Sequence, residues 1–343
     1  MNLTIAIPVY NRLDYFSQAL HSALSQTVPV EILVVDNASV HNDFERICKS
    51  MGPRVSYFRN PVNIGMFGNW NRCAFLAKTP WVLILGDDDI ADPTLGQMML
   101  EAVLGRPTVD IVYGRYSYLC ENAVCAGDPP KAPTGSLTIL HHKRNAIESG
   151  LSFPSVCAAF KRELLIQRPW RESPHGSNDW CHFYGLPNEI QTYGISKILM
   201  KYRKHAGSDT ASLNTRLMCA VSQSYIYWQL TKEFQSVDLS LANKARERAV
   251  SLLLDYDRNF AINNCESLWG KTNDQNCYLD HLNYVKSVDS EVRIRMTPGI
   301  TGAFLSVYFR FIRKLIKAIG LKNAHGSFAM AVMRPGKNDV NHA

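Results

Sequence analysis

The chain has 343 residues, of which 46% are hydrophobic and 20% are charged, and its formal net charge at pH 7 is +7. This length is enough for one large or two modest domains, and the composition excludes a disordered chain, a collagen-like repeat and a small disulfide scaffold. An excess of 37 basic over 30 acidic residues is too small by itself to indicate nucleic-acid binding.

The first half of the chain alternates short apolar runs with segments of helical periodicity. Helical spacing of apolar residues falls at residues 14–24, 69–78 and 95–103. Runs typical of strands fall at residues 3–9, 31–35, 55–58, 81–85, 111–119, 156–160 and 195–202. Such alternation predicts an α/β domain built on a mostly parallel sheet with helices on both faces.

The second half is predicted to be helical, and the charge is concentrated at its end. Residues 292–338 contain nine basic residues and no acidic one. Basic side chains at helical spacing share one face of an amphipathic pattern there, namely Arg310, Arg313, Lys314 and Lys317. The pattern favours an anionic membrane surface as partner, and a helix that docks on its own domain with snorkelling lysines is the alternative. The predicted organisation is a sheet domain at 1–210, a helical region at 211–291, and a basic helix and tail at 292–343.

The cysteines and the hydropathy favour a cytoplasmic protein. Nine cysteines form no Cys-x-x-Cys pair, and only Cys120 and Cys125 are close in sequence. An odd, scattered set predicts reduced thiols in a reducing compartment. The first apolar run is shorter than that of a signal peptide, and no run of about 18 apolar residues predicts a membrane span.

Polar residues follow three of the predicted strands. The first is followed by Tyr10, Asn11 and Arg12, the second by Asp36, and the strand near residue 84 by the consecutive residues 87–89, all aspartates. Ligands of open parallel sheets bind at the carboxyl ends of the strands. Three adjacent carboxylates lose hydration and repel one another, and a divalent cation relieves both costs. The pattern therefore predicts a metal site, and a solvated acidic turn is the alternative.

Two later clusters offer further chemistry. Asp179 lies in an aromatic, apolar stretch that would raise its pKa towards that of a general base, although a helix cap is the simpler reading. Residues 202–205 read Tyr-Arg-Lys-His and follow the last predicted strand. The sequence lacks the Gly-x-Gly-x-x-Gly, P-loop, Gly-x-Ser-x-Gly and His-Glu-x-x-His patterns, which argues against dehydrogenases, P-loop enzymes, serine hydrolases and zincins.

Taken in order over residues 3–210, these motifs resemble those of the family 2 inverting glycosyltransferases of the GT-A fold. That family includes many bacterial capsule, O-antigen and exopolysaccharide enzymes. The resemblance implies a GT-A, Rossmann-like sheet domain whose first strand ends and following loops bind a nucleotide sugar. The residues that match its nucleotide-sugar pocket are Pro8, Tyr10, Asn11, Arg12, Asp36, Asn63, Gly65 and Asn71.

The resemblance also implies roles for the acidic residues. The family's Asp-x-Asp-Asp motif falls on residues 86–89, so Asp88 is the implied metal ligand. Gly86 replaces the motif's first acid, and Asp87 or Asp89 is expected to take over its contact with the sugar or ribose. Asp179 matches the aspartate that acts as catalytic base, although Asn178 stands where the family has Glu.

The family's closing Tyr-Arg-x-His motif matches residues 202–205. It implies that Arg203 contacts the nucleotide sugar's diphosphate and that His205 joins Asp88 on the metal. Carboxylate, imidazole and diphosphate ligands suit Mn²⁺ or Mg²⁺.

The expected function is metal-dependent, inverting transfer of a sugar from a nucleotide diphosphate sugar, expected to be a UDP-sugar, to a hydroxyl of a lipid-linked glycan. The expected process is surface polysaccharide biosynthesis, as in O-antigen, capsule or lipopolysaccharide, at the inner face of the cell membrane and without nucleic acid. Three alternatives stay open. One is a haloacid-dehalogenase-like phosphotransferase, since Asp87-x-Asp89 follows a strand; the others are a nucleotidyltransferase and a catalytically inactive membrane-bound glycan- or nucleotide-binding protein.

Overall fold

The computed structural model describes residues 2–120, 125, 127–171, 178–205, 207–208 and 213–255. The strands in this part of the chain are β1 (Leu3–Val9), β2 (Glu31–Asp36), β3 (Val55–Arg59), β4 (Trp81–Ile84), β5 (Ile90–Ala91), β6 (Ile111–Cys120), β7 (Gly135–Thr138), β8 (Ala158–Lys161) and β9 (Gln191–Lys204). The helices are α1 (Phe16–Leu24), α2 (Asp43–Ser50), α3 (Met66–Leu76), α4 (Leu95–Leu104), α5 (Ile139–Ser149), α6 (Arg162–Gln167), α7 (Asn178–Tyr184), α8 (Leu213–Phe234) and α9 (Leu239–Asp255).

The strands described form one sheet in the order β3-β2-β1-β4-β8-β6-β9-β5, with β7 paired to β9. The first four strands in this order are parallel to one another, as their alternation with helices predicts. β1 is almost wholly buried, which agrees with its continuous apolar sequence. Its carboxyl end therefore meets that of β2 at one edge of the sheet.

The second half of the sheet is mixed, whereas the sequence predicted a mostly parallel arrangement. β8 lies antiparallel between β4 and β6, and β5 and β7 pair antiparallel with β9. β6 and β9 are parallel to each other. The two-residue β5 has no periodicity of its own and exists because β9 offers it a partner, so the sequence pattern did not reveal it.

Apolar cores cover both faces of the sheet, which confirms the predicted layering. One core contains residues of α1, α2 and α4, and the other contains residues of α3 and α5 to α9. In β4, Val82 belongs to one core and Leu83 to the other, as strand alternation requires. Because Leu230 of α8 and Ala245 of α9 belong to the second core, the residues on either side of position 210 share one core.

The predicted basic helix at residues 292–338 lies outside the described residues. None of the described helices combines the length and hydropathy that a bilayer span needs.

One cysteine pair departs from the prediction of nine reduced thiols. The Cα atoms of Cys120 and Cys125 lie 5.7 Å apart, and the two side chains form a disulfide. The other cysteines described by the structure are free.

Candidate active site

The loops that follow β1 and β2 are tied together at the edge of the sheet. Asn11 takes the left-handed conformation, with φ of 58°, so the chain turns sharply out of β1. Its backbone N–H donates to Ser39 Oγ at 2.9 Å, and its side-chain Oδ1 accepts from Val40 N at 2.9 Å. Pro8 is paired with Val35 within the sheet, while Tyr10 beyond it is 45% exposed. Tyr10 is thus accessible to solvent next to the loops that follow β1 and β2.

Asp36 lies beneath these loops and is fully buried. One carboxylate oxygen accepts hydrogen bonds from the Ser39 backbone at 2.9 Å and hydroxyl at 2.6 Å, and the other accepts from the Tyr57 hydroxyl at 2.8 Å. Burial, together with the Asp36 carboxylate, raises the pKa of Tyr57. The resemblance implied that Asp36 belongs to the nucleotide-sugar pocket; in this structure one of its carboxylate oxygens is bound by Ser39 and the other by Tyr57.

An asparagine network fixes the loop between β3 and α3. Asn37 Nδ2 donates to Asn63 Oδ1 at 2.8 Å and to the Gly65 carbonyl at 3.0 Å. Gly65 has φ of 80°, a conformation that costs a glycine little, and α3 begins directly after it. The structure therefore brings Asn63 and Gly65 beside the end of β2.

Asn71, a predicted residue of the nucleotide-sugar pocket, is hydrogen-bonded to the backbone of Trp170. Its Nδ2 donates to the Trp170 carbonyl at 2.7 Å, and its Oδ1 accepts from the Trp170 N–H at 2.9 Å. Both ends of the amide are occupied by backbone, so Asn71 fastens the chain after α6 to α3.

The three aspartates after β4 have three different environments. Asp87 pairs with the Arg12 guanidinium. Asp88 Oδ2 lies 3.0 Å from Arg12 Nη2 and 3.0 Å from His205 Nε2. Asp89 is only 3% exposed and accepts a hydrogen bond from the Arg203 backbone N–H at 2.9 Å. Burial and the neighbouring Asp88 charge raise the pKa of Asp89 to about 8.

The packing of Asp89 explains the glycine at position 86. A Cβ atom on Gly86 would come within 2.8 Å of Asp89 Oδ2 and 3.0 Å of Asp88 Oδ1. The Asp89 carboxyl thus occupies the space that a side chain at position 86 would need. Asp89 is held by the backbone of Arg203, whereas Asp87 is paired with the quarter-exposed Arg12, so Asp87 is the better placed of these two aspartates for a ligand.

β9 delivers Arg203 and His205 to the aspartates. Arg203 Nε donates to the Asp88 carbonyl at 2.8 Å and Nη2 donates to Gln18 Oε1 at 2.7 Å, while its guanidinium lies 4.3 Å from the centre of the Tyr15 ring. The His205 ring packs against the same tyrosine at 4.7 Å. Arg203 is thereby committed to the aspartate loop, and Arg12 is the more accessible guanidinium. Tyr15 and Gln18 were not predicted, although their spacing at the start of α1 gives them one helix face.

Asp179 lies in the first turn of α7. Burial raises the pKa of its carboxyl, and a hydrogen bond from the Ser155 hydroxyl lowers it. Ser155 precedes Asp179 by 24 residues in the short 3₁₀ turn before β8, and no sequence motif links the two. The result is a desolvated carboxylate that keeps hydrogen-bond donors from Ser155 and from the backbone of α7, which suits a general base.

The donor set at Asp88 fits a divalent cation in part. One carboxylate oxygen and one imidazole nitrogen converge within 3.0 Å. The described residues contain no group of three or more side chains that could hold a metal ion. Oxygen atoms of a bound diphosphate would have to complete the coordination, an arrangement that Mg²⁺ and Mn²⁺ commonly adopt.

The domain is a glycosyltransferase domain of the GT-A type. Helices cover both faces of its α/β sheet, and the acidic and basic residues described above lie where the strands end. The fold matches the structure of S. aureus TarS residues 1–349 in complex with UDP-GlcNAc, with a TM-score of 0.58, 18% identity and coverage of 86% of each chain. The same protein in complex with UDP matches with a TM-score of 0.52 and 14% identity, over 87% of this chain and 93% of that one.

Sequence comparison gives the family. Residues 4–167 match the model "Glycosyl transferase family 2", so this part of the chain belongs to glycosyltransferase family 2. The prediction of a family 2 glycosyltransferase domain is thereby confirmed.

Among curated relatives, a chondroitin synthase of Pasteurella multocida is 32% identical over 114 residues, which cover 32% of this chain and 12% of that protein. The abequosyltransferase RfbV of Salmonella typhimurium is 33% identical over 95 residues, which cover 26% of this chain and 28% of that protein. The chain thus matches a small part of the length of these relatives.

Proposed function

We propose that the protein is a metal-dependent, inverting glycosyltransferase that moves a sugar from a UDP-sugar to a hydroxyl of a lipid-linked glycan during surface polysaccharide biosynthesis. The observation that carries the proposal is the approach of Asp88 Oδ2 to His205 Nε2 at 3.0 Å, in a site that also holds Arg12, together with the buried carboxyl of Asp179. The similarity to chondroitin synthase and abequosyltransferase supports polysaccharide biosynthesis as the process.

The donor is assigned to the edge where β1, β2 and β4 end. The loop pair with Tyr10 and Asn11, and the loop with Asn63 and Gly65, surround this edge through the hydrogen bonds described above. Asp87 replaces the missing acid at position 86 in contacting the ribose or sugar. The structures of TarS with UDP-GlcNAc and UDP support a uridine nucleotide as the donor's carrier.

Arg12 stabilises the negative charge of the leaving group. The bond from the anomeric carbon to the diphosphate breaks as the acceptor oxygen attacks, so negative charge develops on the diphosphate. Arg12 lies 3.0 Å from Asp88 and can exchange that carboxylate for a phosphate oxygen. A divalent cation held by Asp88 and His205 would supply Lewis-acid stabilisation of the same diphosphate.

Asp179 acts on the acceptor side. Its carboxylate accepts the proton of the attacking hydroxyl, and the pKa raised by burial makes it a stronger base than an exposed aspartate. A single displacement inverts the anomeric centre, so an α-linked donor gives a β-glycoside.

The test is UDP release from a UDP-sugar with Mn²⁺, compared among Asp179→Asn, Asp88→Asn and the exposed control Asp128→Asn. We expect Asp179→Asn to lower kcat by about 10²–10⁴-fold, the usual contribution of a general base, while Mn²⁺-dependent binding of UDP persists. Asp88→Asn should lower both turnover and that binding. Unchanged turnover in both variants would contradict the proposed function.

We also propose that residues 292–338 hold the enzyme on an anionic membrane surface at the cytoplasmic face. Each basic residue near such a surface contributes about 1 kcal/mol. Exchange of Arg310, Arg313, Lys314 and Lys317 for glutamine in the full chain should abolish sedimentation with phosphatidylglycerol vesicles, as should high salt. Retained sedimentation would assign this segment to the protein's own surface.

A further inference from the structure

The end of β9 places its side chains alternately on two faces of the sheet. Arg203 and His205 reach Asp88 and pack on Tyr15. Successive residues of a strand point to opposite faces, so Tyr202 and Lys204 point away from the metal-binding aspartate. They meet β6 residues instead, because Tyr202 is in register with Tyr118 and Lys204 with Cys120.

Three tyrosines form an aromatic cluster on this second face. The ring centres of Tyr116 and Tyr118 are 5.9 Å apart, those of Tyr116 and Tyr202 are 6.1 Å apart, and those of Tyr118 and Tyr202 are 6.2 Å apart. All three side chains are half-buried, so each keeps some surface in contact with solvent. The Lys204 ammonium lies 3.3 Å from the centre of the Tyr118 ring.

The cluster borders the proposed catalytic base. Asp179 is hydrogen-bonded by Ser155, and the 3₁₀ turn that carries Ser155 packs against β6 and β9, the two strands that carry the cluster. Burial raises the pKa of Tyr116, and the charge of Asp179 adds to this shift, which agrees with that packing. A short oligosaccharide whose hydroxyl reached Asp179 would extend along these rings.

Lys204 differs from other lysines whose contacts are described. Lys143 and Lys161 each have a carboxylate within ion-pair distance, at 2.9 Å in both cases. In the part of the chain that the structure describes, no carboxylate comes within ion-pair distance of Lys204, and the tyrosine ring is its contact. A half-buried ammonium over a ring face has given up part of its hydration and is ready to bind an anion.

We propose that Tyr118, Tyr202 and Lys204 form the acceptor subsite, in which the tyrosine rings pack against a sugar ring and Lys204 binds an anionic group of the acceptor. Pyranose rings present C–H groups that pack on aromatic faces. The anionic group is a phosphate, as in a lipid diphosphate linkage, or a carboxylate, as in a uronic acid. This inference rests on the proposed function, since it names the class of acceptor at that site.

The test is calorimetric binding of three probes to the full-length protein loaded with UDP and Mn²⁺: octyl glucoside, octyl glucuronide and an octyl diphosphate-linked glucose. We expect at least one charged probe to bind wild type more tightly than the neutral one. Lys204→Met should weaken that charged probe by about tenfold, as loss of a charge-assisted hydrogen bond does, and change the neutral probe less than twofold. The matched control is Lys201→Met, which removes an exposed lysine from the same strand.

Tyr118→Leu should weaken all three probes, because the ring contact is common to them. The preferred charged probe identifies a phosphate or a carboxylate as the recognised group. Equal binding of all probes to wild type, or equal loss of all probes in Lys204→Met, would overturn the subsite. Failure of wild type to bind UDP would instead contradict the proposed function, and the same probe comparison without nucleotide would still test the subsite.

Discussion

Glu233→Ala provides a test of how firmly the helical region is joined to the sheet domain. Lys143 in α5 has a side chain that is only 5% exposed, and its ammonium donates to both carboxylate oxygens of Glu233 in α8, at 3.0 and 2.9 Å. Asn188 adds a third hydrogen bond to the same carboxylate, at 2.8 Å. Removal of the carboxylate leaves a buried ammonium without its counterion.

The expected loss in the free energy of unfolding follows from this burial. Breaking a buried ion pair by removing one partner costs about 3–5 kcal/mol. Glu233 is 33% exposed, so water can replace part of the lost interaction, and we expect a smaller loss than for a fully buried pair, about 2–3 kcal/mol. At roughly 2–4 °C per kcal/mol for a domain of this size, Tm should fall by about 4–12 °C.

The assay is thermal unfolding followed by far-ultraviolet circular dichroism, with Glu189→Ala as the matched control. Glu189 is exposed, so its loss should change Tm by less than about 2 °C. Lys143→Met in the Glu233→Ala background should recover part of the loss, since it removes the unpaired charge and keeps an apolar stem. A shift in Glu233→Ala no larger than in the control would refute the reasoning that this pair is buried between α5 and α8.

Two further predictions concern the site. In Ser155→Ala, the carboxyl of Asp179 loses one of the hydrogen bonds that lower its pKa. Because activity is lost as pH falls through that pKa, the acid limb of the kcat/KM profile should move to higher pH, and a limb that stays in place would contradict the role of Ser155. In Asn71→Ala, the Trp170 N–H and carbonyl lose their partners. We expect the free energy of unfolding in urea to fall by about 1–3 kcal/mol and the Kd for UDP to change less than twofold. A large change in that Kd would instead show that Asn71 belongs to the nucleotide site.

The parallel half of the sheet could be predicted from sequence because its signals are local. β1, β2, β3 and β4 are short apolar runs separated by helical periodicity, and each was predicted within two residues of its observed ends. The position of Asp88 after β4 followed from the same pattern, and its pairing with His205 agrees with the resemblance.

The remainder depends on contacts between distant segments. The partnership of Ser155 with Asp179, the commitment of Asn71 to Trp170 and the antiparallel insertion of β8 leave no periodic signal in the chain. Gly86 is a clear case: the sequence shows only a missing acid, whereas the structure shows that the folded-back carboxyl of Asp89 leaves no room for a side chain there. Such effects are set by packing, which a single sequence does not encode locally.

The alternation at the end of β9 also affects how this protein can diverge. Tyr202 and Lys204 can be substituted without changing the contacts of Arg203 and His205, which bind the aspartate loop from the other face. Under the proposed function, one strand therefore separates two sets of positions: one can vary with the acceptor, and the other is tied to binding of the diphosphate. Insertion of a single residue before Tyr202 would exchange the two faces and disable both sets at once.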